Sequence, residues 1–177
     1  MQEKLKSQLA ALVPRLRRFA RGLTGGNPEN ADDLVQAACE RALSRLYQWK
    51  PGTRFDSWMF RILQTVWLNE RAAMRRRPAG PAPEELVDEL ATDGFETEVT
   101  LAAVARIFHH LPEEQRAVIL LVCVEGYAYR EASEILGVPI GTIMSRLSRG
   151  RLALAERLHR TPRAKVGNVV SLKGVDQ

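Results

Sequence analysis

Arg71, Arg75, Arg76 and Arg77 put four guanidinium groups into seven residues. A second set, Arg146, Arg149 and Arg151, stands later in "IMSRLSRGRLALAERL" among small and apolar residues. Cations at the end of a helix offset its dipole, which accounts for one or two of the first four. The others point to a phosphate-facing surface. On the second segment an arginine can hold phosphate or grip guanine bidentately, worth roughly 1–3 kcal/mol of base discrimination. No catalytic chemistry competes with this reading. The chain has no Ser/His/Asp or Cys/His arrangement, and "TGGNPEN" is a turn without the following lysine of a phosphate-cradling loop. His109, His110 and His159 lie near no cysteine cluster and no C-x-x-C occurs, so no zinc site is expected. The expectation is a binding protein with no catalytic residues, no metal and no cofactor.

The elements that must position these arginines are helical. Helix formers dominate and β-branched runs are few, so the fold class is all-α. "LKSQLAALVPRLRRFARGL" sets Leu5, Leu9, Leu12, Leu16, Phe19 and Leu23 on one face, with Pro14 predicting a kink or a break. Asn30 is expected to cap the next helix, with Asp32 and Asp33 in its first turn. That helix carries Leu34, Ala37, Ala38, Arg41, Ala42 and Leu46 at helical steps. "FDSWMFRILQTVWLNERAAMRRR" is apolar over more than half its circumference, so it is largely buried; its spacing places Trp58 in the core and leaves Trp67 more open.

Further on, "TLAAVARIFHHL" and "LPEEQRAVILLVCVEGY" read as two helices, the second with Glu113 and Glu114 at its positive end. "YREASEILG" is a short third, closed by Gly137, and Thr142 is able to cap the fourth. Two helices meeting across "GVPIGT" form a helix-turn-helix, which holds the second helix out for the major groove. Ser133 sits where the pair approach closely, Ile143 and Leu147 face the core, and Thr142, Ser145, Arg146 and Arg149 lie on other faces.

Charge divides the chain. Its net charge is +5, but residues 1–77 hold fifteen bases and seven acids, and residues 101–177 eleven bases and seven acids. Residues 78–100 hold seven acids and no base, and open with "PAGPAP", which cannot continue a helix. The organisation expected is two small helical domains, 1–77 and 98–160, joined by a flexible acidic linker, 78–97, with a disordered tail, 161–177. Cys39 and Cys123 each sit in an apolar helical pattern and read as buried free thiols of a reducing compartment. The longest apolar run, "AVILLVCV", is too short to span a bilayer, so a soluble, cytoplasmic protein without membrane insertion is expected.

In order and spacing, three segments resemble the extracytoplasmic-function (ECF) sigma factors of the sigma-70 family, over about residues 25 to 160. "DDLVQAACERAL" resembles the region 2 helix that docks on the clamp coiled coil of bacterial RNA polymerase. "FDSWMFRILQTVWLNERAAMRRR" resembles the part that reads and melts the −10 element. "LPEEQRAVILLVCVEGYAYREASEILGVPIGTIMSRLSRGR" resembles the region 4 reader of the −35 element. The resemblance implies a region 2 helical bundle and a region 4 helix-turn-helix. It implies that Asp33, Leu34, Gln36 and Glu40 dock polymerase. Arg54, Phe55 and Asp56 receive a flipped promoter base, with Asn69 nearby, and Arg71, Arg75, Arg76 and Arg77 hold the DNA backbone. Thr142, Ser145, Arg146 and Arg149 read or clamp the −35 element. The implied partners are core RNA polymerase (clamp coiled coil and flap), promoter DNA and an anti-sigma factor, with nucleoid association when active.

This chain departs from the family pattern at Ala128, where Ser or Thr often caps the third region 4 helix, a change worth about 1 kcal/mol. It departs again at Met144, often Lys or Arg, and at Thr65, usually Asn. Two other functions share these features: a sigma-like decoy that binds an anti-sigma factor but no DNA, and a stand-alone helix-turn-helix regulator. The retained arginines argue against the decoy. A stand-alone regulator has no need of the "DDLVQ" helix.

Overall fold

A computed structural model describes residues 2–76 and 101–160, and these contain seven α-helices and no strand. The expected linker at 78–97, the expected tail at 161–177, and Arg77 lie outside the described residues. The order is α1 (Gln2–Leu23), α2 (Pro28–Ser44), a 3₁₀ turn (Leu46–Gln48), α3 (Phe55–Arg76), α4 (Leu101–His109), α5 (Glu113–Ile119), α6 (Tyr129–Leu136) and α7 (Ile140–Arg160). A π-helical turn, Leu120–Val124, continues α5.

Helix α1 runs unbroken through Pro14, against the expected kink or break. Pro14 and Ala10, whose carbonyl loses its donor, both face water, so solvent satisfies the freed group. The cap of α2 is Asn27 rather than Asn30: its Oδ1 accepts from the Asn30 N–H at 2.9 Å. Pro28 takes the first helical position, where its fixed φ suits the helix and no donor is lost. Thr142 is likewise not a cap. Helix α7 begins at Ile140, directly after Pro139, and Thr142 lies in its first turn. Gly137 closes α6 in the left-handed region, φ 67°, as the sequence indicates. Ala128 caps α6 with no side-chain bond, but Glu131 Oε2 accepts from the Ala128 N–H at 2.9 Å. Half of a capping box therefore survives the missing hydroxyl.

The two helical groups share one core. Leu16, Phe19, Leu23, Leu34, Met59, Phe60 and Leu63 are fully buried in the first, and Leu111, Val118, Leu121 and Ile143 in the second. Each such side chain contributes roughly 1.5–3 kcal/mol. A line of rings crosses between the groups: Phe19 meets Phe60 edge-on at 5.3 Å, and Phe60 meets Tyr127 at 5.6 Å. Close approach depends on Gly22, where an added Cβ would fall 2.1 Å from Leu120 Cδ1. Neither cysteine is buried as expected. Cys39 is half-buried. Cys123 is exposed, because the π turn swings it out toward Arg151, whose Nη2 lies 3.4 Å from its sulfur.

Candidate nucleic-acid interface

The helix-turn-helix is built by α6, α7 and the turn between them. The Gly137 and Val138 N–H groups both donate to the Ser133 carbonyl, at 2.9 and 3.2 Å. Ser133 Oγ donates to the Val138 carbonyl at 2.6 Å, so this small side chain fastens the turn. Ile143 and Leu147 anchor α7 at 0 % and 3 % exposure. On its outer side Thr142, Ser145, Arg146 and Arg149 form one stripe at three- and four-residue steps. Ser145 and Arg149 are exposed and hydrogen-bond only to their own helix. Arg146, at the flank, leans 3.7 Å from Glu114 on α5. The stripe is open to a groove.

The loop that leads into α3 is placed differently. Arg54 forks onto Asp56 with Nε at 3.1 Å and Nη2 at 2.8 Å, while its Nη1 donates to Glu131 on α6 at 2.6 Å. Its guanidinium lies over the Tyr127 ring at 4.7 Å. Asp56 also accepts from the Ser57 N–H at 2.8 Å and from Arg15 at 3.4 Å. Burial alone would raise the Asp56 carboxyl, but Arg54 first, then the Tyr127 hydroxyl and the Ser57 N–H, hold it down at about 2. The Tyr127 hydroxyl is buried without a hydrogen bond of normal geometry. It is pushed up to about 12, by burial first and the Asp56 carboxylate second. Phe55 lies between Trp49, which it meets edge-on, and Trp58, which it meets at a tilt, 5.7 Å from each. The structure thus brings Arg54, Phe55 and Asp56 together, and ties them to the second helical group.

On α3, Asn69, Arg71, Arg75 and Arg76 are exposed. Arg71 lies 3.5 Å from Glu113 and over the Trp67 ring. Trp58, expected in the core, is only half-buried at its edge, and Trp67, whose place the spacing left open, is the buried one. Trp67 is 8 % exposed, and its Nε1 donates at 2.5 Å to Glu113, the first residue of α5. Trp58 is half-buried and walls a cleft of about 250 Å³ between α2 and α3. Arg41, Arg45 and Arg61 converge on this cleft with Gln48 and Thr65. None of the three arginines has an ion-pair partner among the described residues. Only their one-turn spacing, Arg41 to Arg45, marked them in the sequence.

On α2, Asp33, Gln36 and Glu40 project from one exposed face, with Gln36 bonded to Glu40 at 3.0 Å. Leu34 does not join them: it is 1 % exposed, on the apolar stripe turned into the core. Leu43, 51 % exposed, extends the face instead. Among the described residues no three His, Cys, Asp or Glu side chains could hold a metal ion, and no helix is long and apolar enough to cross a membrane.

The family model "Sigma-70, region 4" matches residues 101–154, and "Sigma2 domain of PhyR" matches residues 9–64. The ECF RNA polymerase sigma factor EcfG of Rhodopseudomonas palustris is 32% identical over 160 residues, 90% of this chain and 87% of that protein. The ECF sigma factor SigM of Mycobacterium tuberculosis is 37% identical over 145 residues, 81% of this chain and 71% of its own length. Among solved structures, the sigma factor RpoE in complex with the anti-sigma factor NepR, from Bartonella quintana, superposes with a TM-score of 0.71 at 27% identity. The match covers 90% of this chain and 99% of that one.

Proposed function

The chain belongs to the ECF sigma factors of the sigma-70 family, and from that premise we propose which surfaces of it meet polymerase and promoter. Residues 1–77 act as region 2 and residues 98–160 as region 4. The exposed face of α2, Asp33, Gln36, Glu40 and Leu43, docks on the clamp coiled coil of core RNA polymerase. The α7 stripe, Thr142, Ser145, Arg146 and Arg149, enters the major groove at the −35 element. The Arg54–Phe55–Asp56 loop, with Asn69, takes a flipped base of the −10 element. Arg71, Arg75 and Arg76 hold its backbone. The α2–α3 cleft lies on the path of the opened strand: its unpaired guanidinium groups suit phosphate, and Trp58 offers a face for stacking. The protein performs no covalent step of its own; it positions polymerase and helps open DNA. It works in the cytoplasm, at the nucleoid when active.

The observation that carries this reading is the open α7 stripe on a helix-turn-helix, in the same chain as a polar docking helix. A stand-alone regulator has no use for the second feature, and a decoy none for the first. An anti-sigma factor is the natural antagonist, as the solved complex of the similar RpoE with NepR suggests. The test is run-off transcription with purified bacterial core polymerase on a pool of genomic promoter fragments. Discrete transcripts that require this protein are expected, and Arg146→Ala with Arg149→Ala abolishes them. A double variant that transcribes as wild type would sink the assignment of the stripe.

A further inference from the structure

Helix α7 exposes apolar side chains at its leading end. Met144 is 54 % exposed and Ile140 48 % exposed, on a helix whose core side is already filled by Ile143 and Leu147. The two stand four residues apart, about one turn, and so share a face. Helical side chains lean toward the helix N-terminus, which directs Met144 over the turn that Ile140 opens. A single exposed apolar residue is ordinary on a protein surface. This pair differs in its place and in its rim. It occupies the first and fifth positions of α7, the end that a helix-turn-helix delivers to base edges. Exposed Ser145, Ser148 and Arg149 rim it on the same helix. Between the two lies Gly141, where an added Cβ would meet nothing within 4 Å. No packing requires that bare position, and it lets a partner come close to the pair.

We propose that Met144, flanked by Ile140, is a specificity-determining side chain that reads the C5-methyl group of a thymine in the −35 element. This rests on the assignment of α7 to that element. In the major groove thymine alone presents a methyl group to an apolar side chain, and the other three bases are told apart there by donors and acceptors. A methionine has no donor, so it cannot fork onto guanine as an arginine does. Its flexible, polarisable chain can follow a methyl group as the neighbouring contacts settle. The work divides around the helix. Arg146 and Arg149 supply charge for phosphate or guanine, and the apolar pair adds a preference for thymine at a neighbouring step. Cytosine at that step would set its amino group against the pair and lose water without a hydrogen bond in return. The pair therefore attracts thymine and rejects cytosine by separate means. The rim of hydroxyl and guanidinium groups favours DNA over an apolar protein surface as the occupant.

The test removes one methyl group from the DNA. Duplexes are selected from a randomised pool, once by the full chain alone and once with core RNA polymerase added. Uracil then replaces each thymine of the selected sequence in turn; it keeps every hydrogen-bonding group of thymine and lacks only the methyl. Fluorescence anisotropy should find a position where uracil weakens wild-type binding roughly fourfold. This swap needs no variant to fold. Met144→Ala should bind thymine and uracil alike there, and Met144→Arg should select guanine in place of thymine. Leu152→Ala shortens an exposed apolar side chain eight residues further along α7, and should keep the wild-type ratio. Circular dichroism checks that each variant keeps its helix content. Equal binding of thymine and uracil at every position overturns the proposal, as does a pool from which neither selection recovers a sequence. A Met144→Ala chain that keeps the full difference overturns it too. So does one that loses affinity for core polymerase while its thymine preference stays, since the pair then serves a protein surface. Run-off transcription separates the two readings. Protein-dependent transcripts with no uracil effect leave the sigma function standing without the methyl reader. A uracil effect in a chain unable to support transcription leaves the reverse.

Discussion

The two surfaces proposed to meet DNA, on α7 and at the start of α3, use the same side chain in opposite settings. On α7, Arg149 is exposed and rests only on its own helix. At the start of α3, Arg54 spends its fork on Asp56, its remaining nitrogen on Glu131, and its face on the Tyr127 ring. An arginine's reach for phosphate is set by what it must release first. Arg149 on α7 has only its own helix to release, and Arg54 at the start of α3 has Asp56 and Glu131. With the roles proposed above, the difference predicts an order: α7 can meet DNA as it stands, and base capture at Arg54 follows only after its present contacts are released.

The sharpest way to break that contrast is Arg116. This guanidinium is buried, and its donors reach four carbonyls across both helical groups. Nε meets Gly22 at 2.6 Å and Nη2 meets Leu23 at 3.2 Å, while Nη1 meets His109 at 3.0 Å and Leu111 at 2.5 Å. It closes the end of α1 and the α4–α5 turn together. Arg116→Met should leave those carbonyls short of donors and lower stability by roughly 3 kcal/mol, read by urea unfolding. Both readers should be lost together on warming. If Arg116→Met melts like wild type, the union of the two groups does not run through this residue.

Gly22→Ala tests the same union by steric means and with a smaller effect. The new methyl would meet Leu120 Cδ1 at 2.1 Å, the far end of a flexible side chain, so part of the clash can relax. A cost of about 1–3 kcal/mol is expected, all of it where the two helical groups pack together. Hydrogen exchange should then quicken at the start of α3, near Arg54, and stay unchanged in α7. Equal quickening in both would mean that the readers share one fate, and the contrast between them would fail.

Local structure was legible in the sequence, and the union of the halves was not. Helical period located the elements, and Gly137 with Val138–Pro139 located the turn between α6 and α7, because those signals act within a few residues. The stripe on α7 followed from spacing alone. Trp58 came out less buried than its spacing indicated, and the place of Trp67 was left open, because a period gives faces and not the neighbour that meets each face; Trp67 meets Glu113, 46 residues away. The partners Arg15 and Glu125 stand 110 residues apart, and Arg54 and Glu131 stand 77 apart. No local pattern pairs such charges. The π turn also has no signature in "AVILLVCV", and with it went the exposure of Cys123. Leu34 was misplaced for a different reason: a motif borrowed from the family names positions, while the core decides which way each one points.

The smallest effect separates the readers by acidity. His109 stands at the junction of the groups, on α4, where a Cβ added to Gly26 of the first group would lie 3.0 Å from its Nε2. Its Nδ1 is buried without a partner. Burial first, and then the charges of Arg116 and His110, hold its pKa below the ordinary 6.5. The packed junction thus needs the neutral ring, whereas a chain with the two groups parted or unfolded takes up a proton at the ordinary value. That contribution to closure is complete above pH 6.5 and is lost as pH falls from there through the lowered value. The wild type should therefore expand modestly in scattering between pH 7 and pH 5.5, while duplex binding through α7, which carries no histidine on its outer stripe, should show no matching step. His109→Gln keeps a polar group of similar reach without a proton to gain, and should flatten the scattering profile. An unchanged profile in that variant would assign the step elsewhere. Asp56, held at about 2, is excluded as its source because its carboxylate stays ionised throughout that range.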